Sequence, residues 1–153
     1  MDRLFTLSIV FILGLFFGYH LRNGKNNSKE KEQTECVIKP TFFSQTPKEG
    51  LKEALNYYNI QHKDIVYAQA VLETGHFKSK GCVEDNNLFG LYNSRKGEYH
   101  KFNHWHESVK AYKEWIQSKY DGKKDYYDFL ISICYAQDSN YVKVVKTICK
   151  QNK

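Results

Sequence analysis

Glu73 ends an almost wholly apolar run, Ile65 to Leu72 (IVYAQAVL), and is followed by Thr74 and Gly75. Glycine closes helices in the left-handed conformation without steric cost, so Gly75 marks the expected C-terminus of a helix. A carboxylate there stands at the negative end of the helix dipole and beside a buried face, against the ordinary rule for acids. The dipole and partial desolvation both disfavour the anion and raise the pKa of Glu73. A glutamate raised in this way can hand over a proton near neutral pH, which is what a general acid must do. The plain alternative is a solvated glutamate that happens to end a helix, and the surrounding residues decide between the two.

Four blocks follow one another along the chain: AQAVLETGHFKSKG from Ala68, then Asn86-Asn87-Leu88-Phe89-Gly90, then Phe102 with Trp105-His106-Glu107-Ser108-Val109, then Tyr135-Ala136-Gln137-Asp138-Ser139-Asn140-Tyr141. Together, over roughly Gly50 to Lys150, they resemble the glucosaminidase domain of bacterial peptidoglycan hydrolases, family 73 of the glycoside hydrolases. The resemblance implies an endo-β-N-acetylglucosaminidase that cuts β-1,4 bonds of peptidoglycan glycan strands without a cofactor, with Glu73 as the acid. Glycoside hydrolysis usually needs a second group facing the anomeric carbon. Glu98, in GEYHKF, is the best-placed carboxylate, with an exposed strand charge as its alternative; the substrate's own N-acetyl group is another candidate for that role. Tyr135 and Tyr141 match the tyrosines of the family's Tyr-Ala-x-Asp-x-x-Tyr block, Tyr135 as a catalytic partner and Tyr141 as a substrate contact. Asn86, Asn87 and Phe89 are expected to shape the groove floor, with a purely conformational role as the equal alternative because asparagine tolerates the left-handed turn. Trp105 is either a sugar platform or, as favoured, a cap on the hairpin core. A non-catalytic glycan-binding module on the same scaffold, or muramidase specificity, stays open.

These residues need a frame. Thr46-Pro47-Lys48-Glu49 reads as a capping box with proline at the first helical position, predicting a helix to about Tyr57 with Leu51, Ala54, Leu55 and Tyr58 on one face. Residues from His62 to Thr74 are apolar nearly all round, as a central buried helix would be. LFGLY and EYHKF flank Asn93-Ser94-Arg95-Lys96-Gly97 and predict a short hairpin. Three more helices are expected: from about Glu107 to Tyr120 with Val109, Tyr112, Trp115 and Ile116 inward, from Asp125 to Tyr135, and from Ser139 to Lys150. The expected class is mainly α (α+β), a lysozyme-like helical domain with a short β-hairpin lobe over residues 46–153.

What precedes that domain differs in kind. Leu4 to Leu21 carries no charge, and eighteen residues at helical rise reach about 27 Å, enough to cross a bilayer core. Residues 1–22 are read as one transmembrane signal anchor, and the polar residues 23–45 as a flexible linker. Arg22, Lys25, Lys29 and Lys31 would by themselves keep the C-terminal side cytoplasmic. The substrate of the resembled family lies outside, so the domain is expected on the periplasmic or extracellular side, attached to the membrane and acting as a monomer. The net charge of +6 suits an anionic polymer. Aromatics at 16% suit a sugar-gripping groove, and no nucleic-acid fingerprint is present. The four cysteines, Cys36, Cys82, Cys134 and Cys149, are compatible with disulfides in an exported protein. Their spacing, and that of His100, His104 and His106, fits no metal motif.

Overall fold

The computed structural model describes residues 39–152. The expected membrane anchor, most of the expected linker and Cys36 lie outside the described residues. Among the described residues, no helix is long and apolar enough to cross a membrane.

Helix α1 (Pro47–Tyr57) begins as its sequence requires. The Glu49 carboxylate accepts from the Thr46 N–H at 3.2 Å and from its hydroxyl at 2.8 Å, and Pro47 has no N–H to leave unpaired. Leu51, Ala54 and Leu55 are buried. The packed region starts earlier than residue 46, however. A 3-10 turn, Thr41–Ser44, lays a fully buried Phe42 against the core, and the Thr41 hydroxyl donates to Glu53 at 2.7 Å. Gly50 makes this possible: a Cβ there would stand 2.9 Å from Phe42 Cβ and 3.0 Å from Trp105 Cζ2.

Helix α2 (Lys63–Glu73) is central because it serves two cores. Val66 and Ala70 face the larger cluster, formed with α1 and later helices. Ala68 and Val71 face a second cluster with Tyr141, Val145, Ile148 and Cys149 of helix α6 (Tyr141–Gln151). That two-sided burial explains why its sequence is apolar on most faces. A single turn, α3 (Lys80–Val83), follows, with the Ser79 hydroxyl accepting from the Cys82 N–H; it is too short to leave a periodic signal in sequence.

The hairpin pairs β1 (Tyr92–Asn93) with β2 (Glu98–Tyr99) antiparallel, Tyr92 opposite Tyr99 and Asn93 opposite Glu98. Asn93 Oδ1 accepts from the N–H groups of Arg95 and Lys96, and Gly97 supplies the left-handed turn residue (φ 71°). Helix α4 (Trp105–Trp115) buries Val109 and Tyr112 as expected but stops five residues short of Tyr120. Trp115 is 41% exposed rather than inward, its ring 4.6 Å from that of His100. The chain turns at Ile116 into a 3-10 turn, Gln117–Lys119, because Gln117 is drawn into the core to pair with the backbone of Gln61. Helix α5 (Tyr126–Ser132), capped by Asp125 accepting from the Tyr127 N–H, also ends before the expected Tyr135. Cys134 there is left-handed (φ 50°), which breaks the helix. The described fold is mainly helical with one small two-stranded sheet. Cys82, Cys134 and Cys149 are free thiols, so no disulfide joins them.

Candidate active site

Glu73 is the last residue of α2, half-buried, and its carboxyl opens into a groove of about 1270 Å³ between the helices and the hairpin. Burial pushes its pKa above the ordinary carboxylate range, and the Tyr141 hydroxyl beside it pulls the other way. Three residues that follow, Gly75, His76 and Phe77, are all left-handed (φ 53°, 60° and 65°). That conformation costs a non-glycine residue about 1–2 kcal/mol. Thr74, fully buried, holds the turn: its hydroxyl donates to Ala70 O at 2.6 Å and accepts from the Phe77 N–H at 2.8 Å. The His76 N–H donates to Val71 O at 2.8 Å. The helix thus stops abruptly under Glu73 with its carbonyls occupied.

The opposite wall near the acid is the Asn86–Leu91 loop. Asn87, 4% exposed, donates to Leu91 O at 2.9 Å and His100 O at 3.0 Å, and accepts from the N–H of Leu91 at 2.9 Å. One amide therefore ties the loop to the root of the hairpin. Tyr135 donates to Phe89 O at 2.9 Å, and Phe89 packs on Tyr112 with ring centroids 4.5 Å apart. Between these anchors Gly90, left-handed at φ 59°, meets the acid: a Cβ on it would lie 3.1 Å from Glu73 Oε2. Glycine is required there both by its dihedral angle and by the approach of the carboxyl.

Of the residues singled out from sequence, Glu73, Glu98, Tyr135, Asn87 and Phe89 line this groove together. Glu98 is exposed on β2 and pairs loosely with Lys96 at 3.9 Å. The Tyr135 hydroxyl is committed to a backbone carbonyl, and burial, Tyr141 and Glu73 hold its pKa well above the usual value. It braces the Phe89–Gly90 segment. Tyr141, 9% exposed, belongs to the second core cluster, and its hydroxyl neighbours the Glu73 carboxyl. For two residues the structure matches the structural alternative. Asn86 does not line the groove; left-handed at φ 54°, it donates to Phe102 O and Asn103 O and fixes the loop. Trp105 is a core residue at 6% exposure, its indole N–H donating to Gln45 O at 2.9 Å, because Phe42 and α1 fill the space around it.

The sequence reading passed over Tyr92, Tyr99, Gly90 and Asp85, all of which line the groove. Tyr92 and Tyr99 are more than half exposed and meet edge to face at 5.1 Å; their equal distance from the turn was the available signal. Asp85 is tied to Lys101 at 3.0 Å. A smaller cavity of about 170 Å³ near Lys52 and Tyr67 has only the exposed Asp64 as its acid. Among the described residues, no three His, Cys, Asp or Glu side chains gather as a metal would require.

The family described as glucosaminidase, mannosyl-glycoprotein endo-beta-N-acetylglucosaminidase, matches residues 48–153, more than half of the chain. The chain belongs to the glucosaminidase family. It is a glycoside hydrolase, and the groove described above falls wholly within the matched residues. Among solved structures it is similar to the catalytic domain of the autolysin Auto from Listeria monocytogenes, at 20% identity and a TM-score of 0.47, over 76% of this chain and 88% of that one. No curated protein compared with the chain matches it.

Proposed function

We propose that this glucosaminidase hydrolyses β-1,4 bonds in the glycan strands of peptidoglycan as an endo-β-N-acetylglucosaminidase, with Glu73 as general acid on a lysozyme-like helical scaffold. The observation that carries the reading is the carboxyl of Glu73: half-buried, raised in pKa by burial, and open to the groove. In the reaction the protonated Glu73 gives its proton to the glycosidic oxygen as the bond to the anomeric carbon breaks. Glu98, on the hairpin side of the same groove, takes a proton from the water that adds there, unless the substrate's acetamido oxygen attacks first. A groove of about 1270 Å³ exceeds the usual range of about 300–1,000 Å³ for small-molecule pockets, which favours a polymer. Tyr92 and Tyr99 offer exposed ring faces for its sugars. The apolar run Leu4–Leu21 supports attachment to the membrane, and a wall substrate requires the domain on its outer side.

The test is Glu73→Gln on purified peptidoglycan. The amide fills the same space but cannot protonate the leaving oxygen, so turnover should fall by about 10²–10⁴-fold while wall binding persists. Mass spectrometry of the released reducing ends should find N-acetylglucosamine, and muramic acid ends would assign the other linkage. Glu98→Gln should cost a comparable factor if Glu98 activates water, and much less if the acetamido group attacks. Full activity of Glu73→Gln, with unchanged circular dichroism, would remove Glu73 as the acid, whereas folded wild type that binds the wall without turnover would leave a glycan-binding module.

A further inference from the structure

A single row of hydrogen bonds runs through the core and ends at Tyr141, the hydroxyl beside the candidate acid. Its members are Gln117, Tyr126, Tyr112, Gln69 and Tyr141, all buried. Gln117 Nε2 lies 3.3 Å from the Tyr126 hydroxyl, which lies 2.9 Å from that of Tyr112. Tyr112 donates to Gln69 Oε1 at 2.8 Å, and Gln69 Nε2 donates to the Tyr141 hydroxyl at 3.1 Å. Hydroxyls can donate or accept, so the tyrosines alone do not give the row a direction.

The direction comes from its far end. The Gln61 N–H donates to Gln117 Oε1 at 2.8 Å, and Lys113 Nζ donates to the same oxygen at 3.2 Å. That oxygen is therefore the acceptor, and Nε2 has two protons to place. One goes to Gln61 O at 2.9 Å and the other to Tyr126. Tyr126, already receiving, passes its own proton to Tyr112, and Tyr112 passes its own to Gln69 Oε1. Gln69 then donates to Tyr141, which leaves the Tyr141 O–H to be placed, and the carboxyl of Glu73 is the acceptor beside it. The reverse arrangement would leave the O–H of Tyr126, 1% exposed, without an acceptor, which buried donors avoid.

We propose that Gln117, Tyr126, Tyr112 and Gln69 are positioning residues that fix Tyr141 as a hydrogen-bond donor to Glu73. This rests on Glu73 being the general acid. A donor aimed at the carboxyl favours the anion left after proton transfer and holds it in one place. Burial disfavours that anion, and the row offsets part of the effect. The other groups facing Glu73 are Tyr135 from beyond α5, the Gly90 backbone, and Glu98 and Tyr99 across the groove. None of these supplies the donor that Tyr141 does.

The test uses the full-length chain on solubilised glycan strands, with kcat and KM followed across pH for wild type, Tyr112→Phe, Tyr141→Phe and the double variant. Losing the donor raises the pKa of Glu73, and the protonated form is the active one, so the upper limb of the kcat profile should move to higher pH. The shift should be about one pH unit for Tyr141→Phe and smaller for Tyr112→Phe, with a lower plateau and little change in KM. The double variant should shift no further than Tyr141→Phe alone, because Tyr112 acts through Tyr141. If Tyr112→Phe does not fold, Tyr126→Phe, one link further out, should move the limb in the same direction. A folded Tyr112→Phe or Tyr126→Phe whose upper limb stays at the wild-type position, or additive shifts in the double variant, overturns the proposal. Inactive Glu73→Gln beside an unmoved Tyr112→Phe limb sinks the row alone. Active Glu73→Gln sinks the reading of the acid itself.

Discussion

Adding one methyl group at position 90 should disable the acid without touching it chemically. An alanine Cβ there would lie 3.1 Å from Glu73 Oε2 and 3.8 Å from its carboxyl carbon. The first contact is tighter than van der Waals packing allows, so something must give by a few tenths of an ångström. The loop backbone is pinned on both sides, by the Asn87 amide and by Tyr135 at Phe89 O. The carboxyl is the freer partner, and it moves. A misplacement of about 1 Å can cost on the order of 10²-fold, so a few tenths predicts a loss of roughly 3- to 10-fold in kcat. The positive φ of 59° adds about 1–2 kcal/mol of backbone strain, which lowers Tm by about 5–10 °C. The methyl also takes water from Oε2, so the upper limb of the pH profile moves up. Gly90→Ala is assayed by thermal unfolding and by kcat on glycan strands across pH. A lowered Tm with kcat within about twofold of wild type and an unmoved pH limb would refute the claim that Gly90 places the acid.

Three further outcomes follow from the same geometry. Because burial raises the pKa of Glu73 in the folded state, its contribution to stability is complete below the ordinary carboxylate pKa and is lost as pH rises through the folded value; Glu73→Gln should therefore raise Tm relative to wild type near pH 8 and less so near pH 4, read by calorimetry at both. Tyr99→Ala should raise KM for glycan strands several-fold with Tm nearly unchanged, since Tyr99 is 59% exposed and lines the groove; an unchanged KM would remove it from the sugar path. Trp105→Ala should do the opposite, lowering stability by about 3–5 kcal/mol while folded material keeps its KM, which separates a core tryptophan from a sugar platform.

The helix end that carries Glu73 was readable from sequence because every signal around it is local: an apolar run, a carboxylate, then a glycine that ends the helix. The hairpin was readable for the same reason, since Gly97 and Asn93 carry their own turn chemistry. What the sequence hid depends on contacts across the chain. The break after Trp115 is set by Gln117 reaching the backbone of Gln61, fifty-six residues away, and no periodicity in residues 107–120 records that. Asn86 and Asn87 are adjacent and alike in type, yet only Asn87 reaches the groove. The partners that separate them, Phe102 O for one and His100 O for the other, come from the far side of the hairpin. Trp105 turned inward because Phe42, assigned to the linker, belongs to the core.

The hairpin has two residues in each strand, and a lone hairpin is marginally stable at best in water. Its position comes from elsewhere: the Asn87 amide at its root and the Asp85–Lys101 pair with the Phe102 N–H bound to Asp85 O. The lobe is thus an attachment with a defined joint, and the acid stands on the other side of that joint. The polar contacts of residues 95 and 96 at its tip stay within the hairpin, to Asn93 and Glu98, so changes there should leave α2 and the turn beneath Glu73 undisturbed. On the proposed reading, a fold built this way keeps proton donation and strand selection in separate parts, so one can drift while the other is held.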